Sequence, residues 1–258
     1  MGDRRSRYSR HVLLSGIGQE GQDSIRRGTA VVVGLGGLGS TASVLLARAG
    51  VGLLRLVDPD RVDWTNVQRQ GLYDESDAER GVLKAEAALE HLRKVNSEVR
   101  CEALAEDLNP SNAESVVRGA TVVVDGLDSF RGRAILNQAC VKLGIPLIHG
   151  ACVSTHGTVT TIFPGETPCY ACIVPDAATR EAPFTSATVG VFAPAVFAVG
   201  SLEAAEALKV LAGRREAALC GRMLWIDFWD SEIRSFTVRR NPDCPVCGRH
   251  EYSLLQSS

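Results

Sequence analysis

VVVGLGGLGS, Val31 to Ser40, is the stretch on which the fold turns. Three consecutive valines with no polar interruption read as a strand buried on both faces. Glycines at 34, 36 and 39 follow at G-x-G-x-x-G spacing, and Gly39 to Gly50 fits a helix carrying Val44, Leu45 and Leu46. Strand, glycine turn and helix in that order make a phosphate cradle. It combines a tight bend, a close backbone approach and exposed N–H groups at a helix N-terminus. Gly34, Gly36 and Gly39 are therefore candidate nucleotide-binding residues. Asp58 closes the next strand about 20 residues later, where a carboxylate accepts from ribose hydroxyls. The glycines alone admit NAD, FAD or ATP. No G-K-[ST] follows them, which excludes a P-loop.

Outward from this unit, strands and helices alternate. Leu53 to Val57 reads as a strand and Lys84 to Val95 as an amphipathic helix with Ala85, Ala88, Leu89 and Leu92 on one face. Thr121 to Val124 is a further apolar strand. Ala134 to Leu143 is a helix stopped by Gly144, and Pro146 to His149 a strand. The alternation predicts an α/β fold with a doubly wound, mostly parallel Rossmann-like sheet. After about Ala151 the pattern changes. Thr158 to Phe163, Met223 to Phe228 and Ser235 to Val238 predict an antiparallel C-terminal extension. Pro194 to Leu211 reads as a long helix between them, with Pro in its first turn and Gly213 just past its end. Residues 1–28 form a polar N-terminal arm, helical around Gln19 to Ile25, and 29–258 a single domain. Pro175 to Thr188 lacks periodicity and reads as a mobile surface segment.

A net charge of −2 over 258 residues leaves no basic footprint for nucleic acid. The basic N-terminus has no apolar segment behind it, so no signal peptide is expected. The longest apolar run, Val189 to Val199, contains Pro194 and spans about half of what a bilayer requires. The expected location is cytoplasmic. Of eight cysteines, Cys101, Cys140, Cys152 and Cys220 stand alone and read as small hydrophobes. Cys169/Cys172 and Cys244/Cys247 are two C-x-x-C pairs, which in a reducing compartment point to metal or redox chemistry. Four thiolates make a closed, structural Zn²⁺ site. Its halves lie 72 positions apart, so the metal would staple the C-terminal tail to the middle of the chain. Pro168 and Pro245 stiffen the two turns, and Gly248 would let a sulfur accept a backbone N–H.

The segment DPDRVDWTNVQRQ carries Asn66, Arg69 and Gln70; GVLK places Lys84 at a helix start; VVVDGLD puts Asp125 and Asp128 at a strand end. In a doubly wound sheet these positions converge on one crevice. Cations there, beside a carboxylate able to hold Mg²⁺, suit a triphosphate, whereas a nicotinamide dehydrogenase has no use for them.

GLGGLGS, LVDPDRVDWTNVQRQ, GVLKAEAA, DGLDSF, TPCYAC, GVFAP and NPDCPVCG together resemble the MoeB/ThiF/HesA family, over about residues 7 to 249. These are relatives of ubiquitin-activating enzyme that adenylate the C-terminal glycine of small ubiquitin-like sulfur carriers. The resemblance implies ATP at the glycine turn, Asp58 with Asp60 at the ribose, Asn66, Arg69 and Lys84 at the phosphates, and Asp128 with Mg²⁺. It agrees with Zn²⁺ on the four cysteines. It also implies that Arg10 enters a neighbouring subunit's site, hence a homodimer. Where several relatives carry a cysteine, this chain has Ser186, and it has no cysteine between Cys172 and Cys220. A serine forms neither thioester nor persulfide, so the chain is expected only to adenylate, with an external sulfur donor. The competing readings are a NAD-dependent oxidoreductase and a non-catalytic scaffold subunit. Neither gives Arg10, Arg69, Lys84 and Asp128 a task.

Overall fold

The computed structural model describes residues 7–181 and 185–256, and its strands form one sheet. They are β1 (Thr29–Val33), β2 (Leu53–Val57), β3 (Arg100–Leu104), β4 (Val122–Asp125), β5 (Leu147–Val153), β6 (His156–Ile162), β7 (Arg222–Asp227) and β8 (Glu232–Thr237). The order is β3-β2-β1-β4-β5-β6-β7-β8; β1 to β5 pair in parallel, and β6, β7 and β8 add on antiparallel. The doubly wound sheet and its antiparallel extension are as the sequence predicts.

The central strands bury both faces. Ala30 and Val32 face one apolar cluster and Val31 and Val33 the other. On the first face lie α2 (Gly18–Arg27), α3 (Gly37–Ala49), α6 (Lys84–Val95) and α11 (Ala193–Leu211). The second holds α7 (Ala113–Val117), α8 (Phe130–Leu143) and α9 (Tyr170–Ile173), together with the C-terminal tail. Short helical turns α1 (Ser9–Val12), α4 (Trp64–Val67), α5 (Glu75–Arg80) and α10 (Ser186–Val189) complete the chain. No described helix is long and apolar enough to cross a membrane.

Two features correct the sequence reading. α8 begins at Phe130 rather than Ala134, because Ser129 Oγ accepts from Gly132 N at 3.1 Å and caps it there. The Pro175–Thr188 segment is not featureless: Thr185 and Thr188 form a reciprocal capping box that starts α10. Of the earlier expectations, Met1–Ser6 of the arm and residues 182–184 of this segment lie outside the described residues.

α11 carries two buried glutamates with opposite surroundings. Glu206 accepts from Thr161 Oγ1 and from Leu219 N, each at 2.6 Å. Glu203 is wholly buried, and among the described residues its carboxyl oxygens find no well-formed hydrogen bond, only a weak backbone contact at Gly150. Burial, with Asp125 adding to it, pushes Glu203 well above the usual carboxylate range. The protonated form's stabilisation is complete below the ordinary Glu value and is lost as pH rises toward the folded value, by up to ~1.4 kcal/mol per unit. Glu203→Gln keeps a neutral group of the same shape. Its melting temperature should match wild type at or below the ordinary Glu value and exceed it increasingly as pH rises above that; a difference independent of pH would contradict this reading.

Candidate active site

The turn after β1 is built from glycines that do different work. Gly34 has φ +86°, and a Cβ there would lie 2.5 Å from the Gly126 carbonyl. A Cβ on Gly39 would lie 1.9 Å from the Gly34 carbonyl, so this glycine lets α3 pack on the turn and does not itself line the cavity. Gly36 is the opposite case: the nearest atom to its would-be Cβ is Gln70 Nε2 at 3.9 Å. The space in front of it is open. α3 starts beside that space with no side-chain cap, so its first-turn amides are available to an anion. Gly36→Ala should therefore melt with wild type yet bind ATP roughly tenfold more weakly or worse, while Gly39→Ala should lose at least about 3 kcal/mol of stability. Thermal melts and nucleotide titration separate the two; equal effects in both assays would contradict the division of roles.

This turn opens into a cavity of about 870 Å³ at the carboxyl ends of β1, β2 and β4. The cations on its wall are Arg69, Lys84, Arg131 and Arg133. The acids are Asp58, Asp60, Glu106, Asp107 and Asp128. Asp58 is buried, accepts from Leu35 N at 2.6 Å and from Asp60 N at 2.9 Å, and so ties the glycine turn to the end of β2. Burial raises its carboxyl above the usual range, partly opposed by Lys84. Lys84, buried at the start of α6, lies 2.8 Å from Asp60 Oδ2 and 3.9 Å from Asp58 Oδ1. Arg69 donates to the Thr65 carbonyl at 2.5 Å and makes no ion pair among the described residues, which leaves its charge for a ligand.

Asn66 is brought to the same wall, but its Oδ1 accepts from Asp63 N at 3.1 Å in a capping box for α4. Only its amide nitrogen faces a weak partner, Thr65 Oγ1 at 3.4 Å. Asp128 is exposed on the wall ahead of α8, and Ser186 lines the cavity from α10. Arg10 is elsewhere. Tyr8 anchors the arm by accepting from Asn96 Nδ2 at 2.8 Å, and its ring fills the space beside Gly50. Gly50 and Asn96 cap the far ends of α3 and α6, whose first turns face the cavity. Gln70, which the motif segment already brought to the crevice, has a buried Oε1 with no partner among the described residues, and His149 also lines the cavity; the sequence reading passed over Arg133.

Cys169, Cys172, Cys244 and Cys247 converge, with all four sulfurs within 4.8 Å of one another. The Cys169–Cys244 and Cys172–Cys247 separations are 3.8 and 3.5 Å. A tetrahedron with Zn–S of about 2.3 Å has edges of about 3.8 Å, so the set fits zinc. Burial and the neighbouring sulfurs lift the Cys169 thiol above its ordinary value, a cost that a bound cation removes. Gly248 N donates to the Cys244 carbonyl at 2.9 Å rather than to a sulfur. The glycine is needed because a Cβ would lie 2.1 Å from the Pro242 carbonyl. A second group, Asp74, Asp77 and His91, has its donors engaged in the α5 capping box and in pairs with Arg80 and His91, so it is structural.

Open amides and an unpaired arginine at the strand ends of a doubly wound sheet define a nucleotide-binding α/β protein. Residues 8–246 match the ThiF family model, and the chain belongs to that family. It is 42% identical over 247 residues to a sulfur carrier protein adenylyltransferase of Thermus thermophilus, covering 94% of this chain and 90% of the relative. It is 39% identical over 250 residues to the sulfur carrier protein ThiS adenylyltransferase of Bacillus subtilis, covering 96% and 73%. A solved structure of E. coli MccB with ATP superposes with a TM-score of 0.79 at 27% identity, covering 96% of this chain and 74% of that one.

Proposed function

We propose that the chain adenylates the C-terminal glycine carboxylate of a small ubiquitin-like sulfur carrier ending in Gly-Gly, using ATP and releasing pyrophosphate. The observation that carries this reading is the open amide cradle at Gly36 on the same cavity as Arg69, which makes no ion pair among the described residues, in a chain whose relatives bear adenylyltransferase names. The ribose sits at Asp58 and Asp60, and the phosphates run over the first turn of α3 toward Arg69 and Lys84. The carrier's carboxylate is already an anion and needs no general base. It attacks the α-phosphorus as the bond to pyrophosphate breaks. The protein's task is to hold two polyanions in line and offset their repulsion. Five acids face four cations on the cavity wall, which leaves a triphosphate's charge uncompensated; Asp128, an exposed carboxylate there, would hold Mg²⁺. When bound, Mg²⁺ neutralises phosphate charge.

The place of Arg10 favours a homodimer. α3 is 13 residues, about 20 Å, long, and the arm is anchored at its far end, so Arg10 is suited to a second copy's cavity rather than its own. The relatives' names give no support to a nicotinamide oxidoreductase. Ser186, on the cavity wall, offers a hydroxyl in place of a thiolate, and Cys152, which also lines the cavity, is held as a thiol by burial, so sulfur comes from an external donor. Mass spectrometry of enzyme, ATP and each candidate carrier tests both points. The expected product is a carrier bearing one AMP at its C-terminus. A carrier joined to this chain as thioester or acyl-disulfide would refute the adenylation-only reading.

A further inference from the structure

The cavity has a second basic wall that no motif marks. Arg133 stands in the first turn of α8, with its side chain 11% exposed and facing the cavity. Its Nη2 donates to the Leu127 carbonyl at 2.6 Å. Its Nε is buried without a hydrogen-bond partner among the described residues, 3.7 Å from Asp125 Oδ2. Asp125 is enclosed: Oδ1 accepts from Leu127 N at 3.1 Å and Oδ2 faces His149 Nδ1 at 2.7 Å. The carboxylate oxygen nearest Arg133 is therefore shared with the His149 ring and lies beyond hydrogen-bond reach of the guanidinium. The other buried acid nearby, Glu203, is driven toward its neutral form by burial and supplies no second anion. The other side-chain neighbour of Arg133, Tyr170, brings no charge. A guanidinium withdrawn from water with no anion in hydrogen-bond reach among the described residues favours one on its open side, which is the cavity.

Strand order gives that anion an identity. The glycine turn after β1 lies between Asp58 at the end of β2 and the Asp125–Ser129 turn after β4. Arg69 and Lys84 belong to the β2 side, on α4's exit and α6. Arg133 belongs to the β4 side, where the N-terminus of the 14-residue α8 also opens on the cavity. A nucleotide with ribose at Asp58 has its first phosphate over the Gly36 amides, between the two walls. Resting on the ATP reading above, we propose that Arg133 contacts the α-phosphate and that Asp125 is its positioning residue.

Calorimetric titration of the full chain with ATP, AMP and adenosine tests this. Arg133→Gln should bind ATP and AMP each roughly 10- to 100-fold more weakly and adenosine unchanged. Arg133→Lys should recover part of the loss, and Asp125→Asn should show the same pattern at smaller size. Arg69→Ala should weaken ATP but leave AMP within about twofold. A purely structural role would shift adenosine affinity and melting temperature together. Wild-type AMP affinity in Arg133→Gln, or in both other variants if that one fails to fold, overturns the inference. If the unmodified chain binds neither ATP nor AMP, the nucleotide reading itself fails and the inference falls with it.

Discussion

Arg69→Ala lowers carrier-dependent ATP–pyrophosphate exchange by roughly 10²- to 10³-fold, about 2.7–4 kcal/mol of barrier. Three observations set that size. Arg69 is on the cavity wall, its only described side-chain hydrogen bond is to the Thr65 carbonyl, and no carboxylate of the described residues neutralises it. Lys84 differs: two carboxylates already compensate it, so a phosphate gains less of its charge. The loss belongs in the exchange rate more than in the melting temperature, because Arg69 anchors nothing in the core. If Arg10 serves a partner's cavity, mixing Arg69→Ala with Arg10→Ala protein should restore part of the activity that each lacks alone. A drop below about threefold for Arg69→Ala would remove it from the chemistry.

Cys244→Ser, or prolonged chelation, should lower the melting temperature by roughly 10–20 °C, corresponding to about 4–8 kcal/mol. The four thiols do more than close a loop. Cys169, Cys244 and Cys247 are buried in the same apolar cluster as Leu136, Cys140 and Val246 on the second face of the sheet. Tyr170, between the first pair of thiols, donates its backbone N–H to Asn137 Oδ1 of α8 at 2.9 Å. Past the second pair, Leu254 N donates to Gln138 Oε1 at 3.0 Å. Loss of the metal therefore loosens α8, whose first turn carries Arg133, and exchange activity should fall with stability. Metal content by mass spectrometry should read one zinc per wild-type chain. A metal-free chain with undiminished stability would make these spectator thiols.

What the sequence revealed follows physical lines. β1 and β4 are buried on both faces, and such strands read as unbroken apolar runs that periodicity finds at once. β3, RCEAL, is an edge strand with no fully buried residue, and its charged composition hid it. The start of α8 was obscured because Arg-Gly-Arg fills its first turn, a poor helix signal redeemed only by the Ser129 cap. Motif spacing located Gly36, Asp58, Arg69 and Lys84, which line one cavity. It also nominated Asn66, whose oxygen turns out to cap α4, a local competition that spacing does not register. Arg133 was illegible because its place depends on the turn after β4 crossing to the glycine turn, a contact between residues far apart in the chain.

The central claim is that this cavity joins AMP to a protein tail. Its most direct measurement is exchange of labelled pyrophosphate into ATP by the purified chain, with and without a ubiquitin-like carrier ending in Gly-Gly. Exchange that requires both the carrier and its free C-terminal carboxylate is the predicted result. Absence of exchange with every candidate carrier, alongside tight binding of NAD, would contradict it.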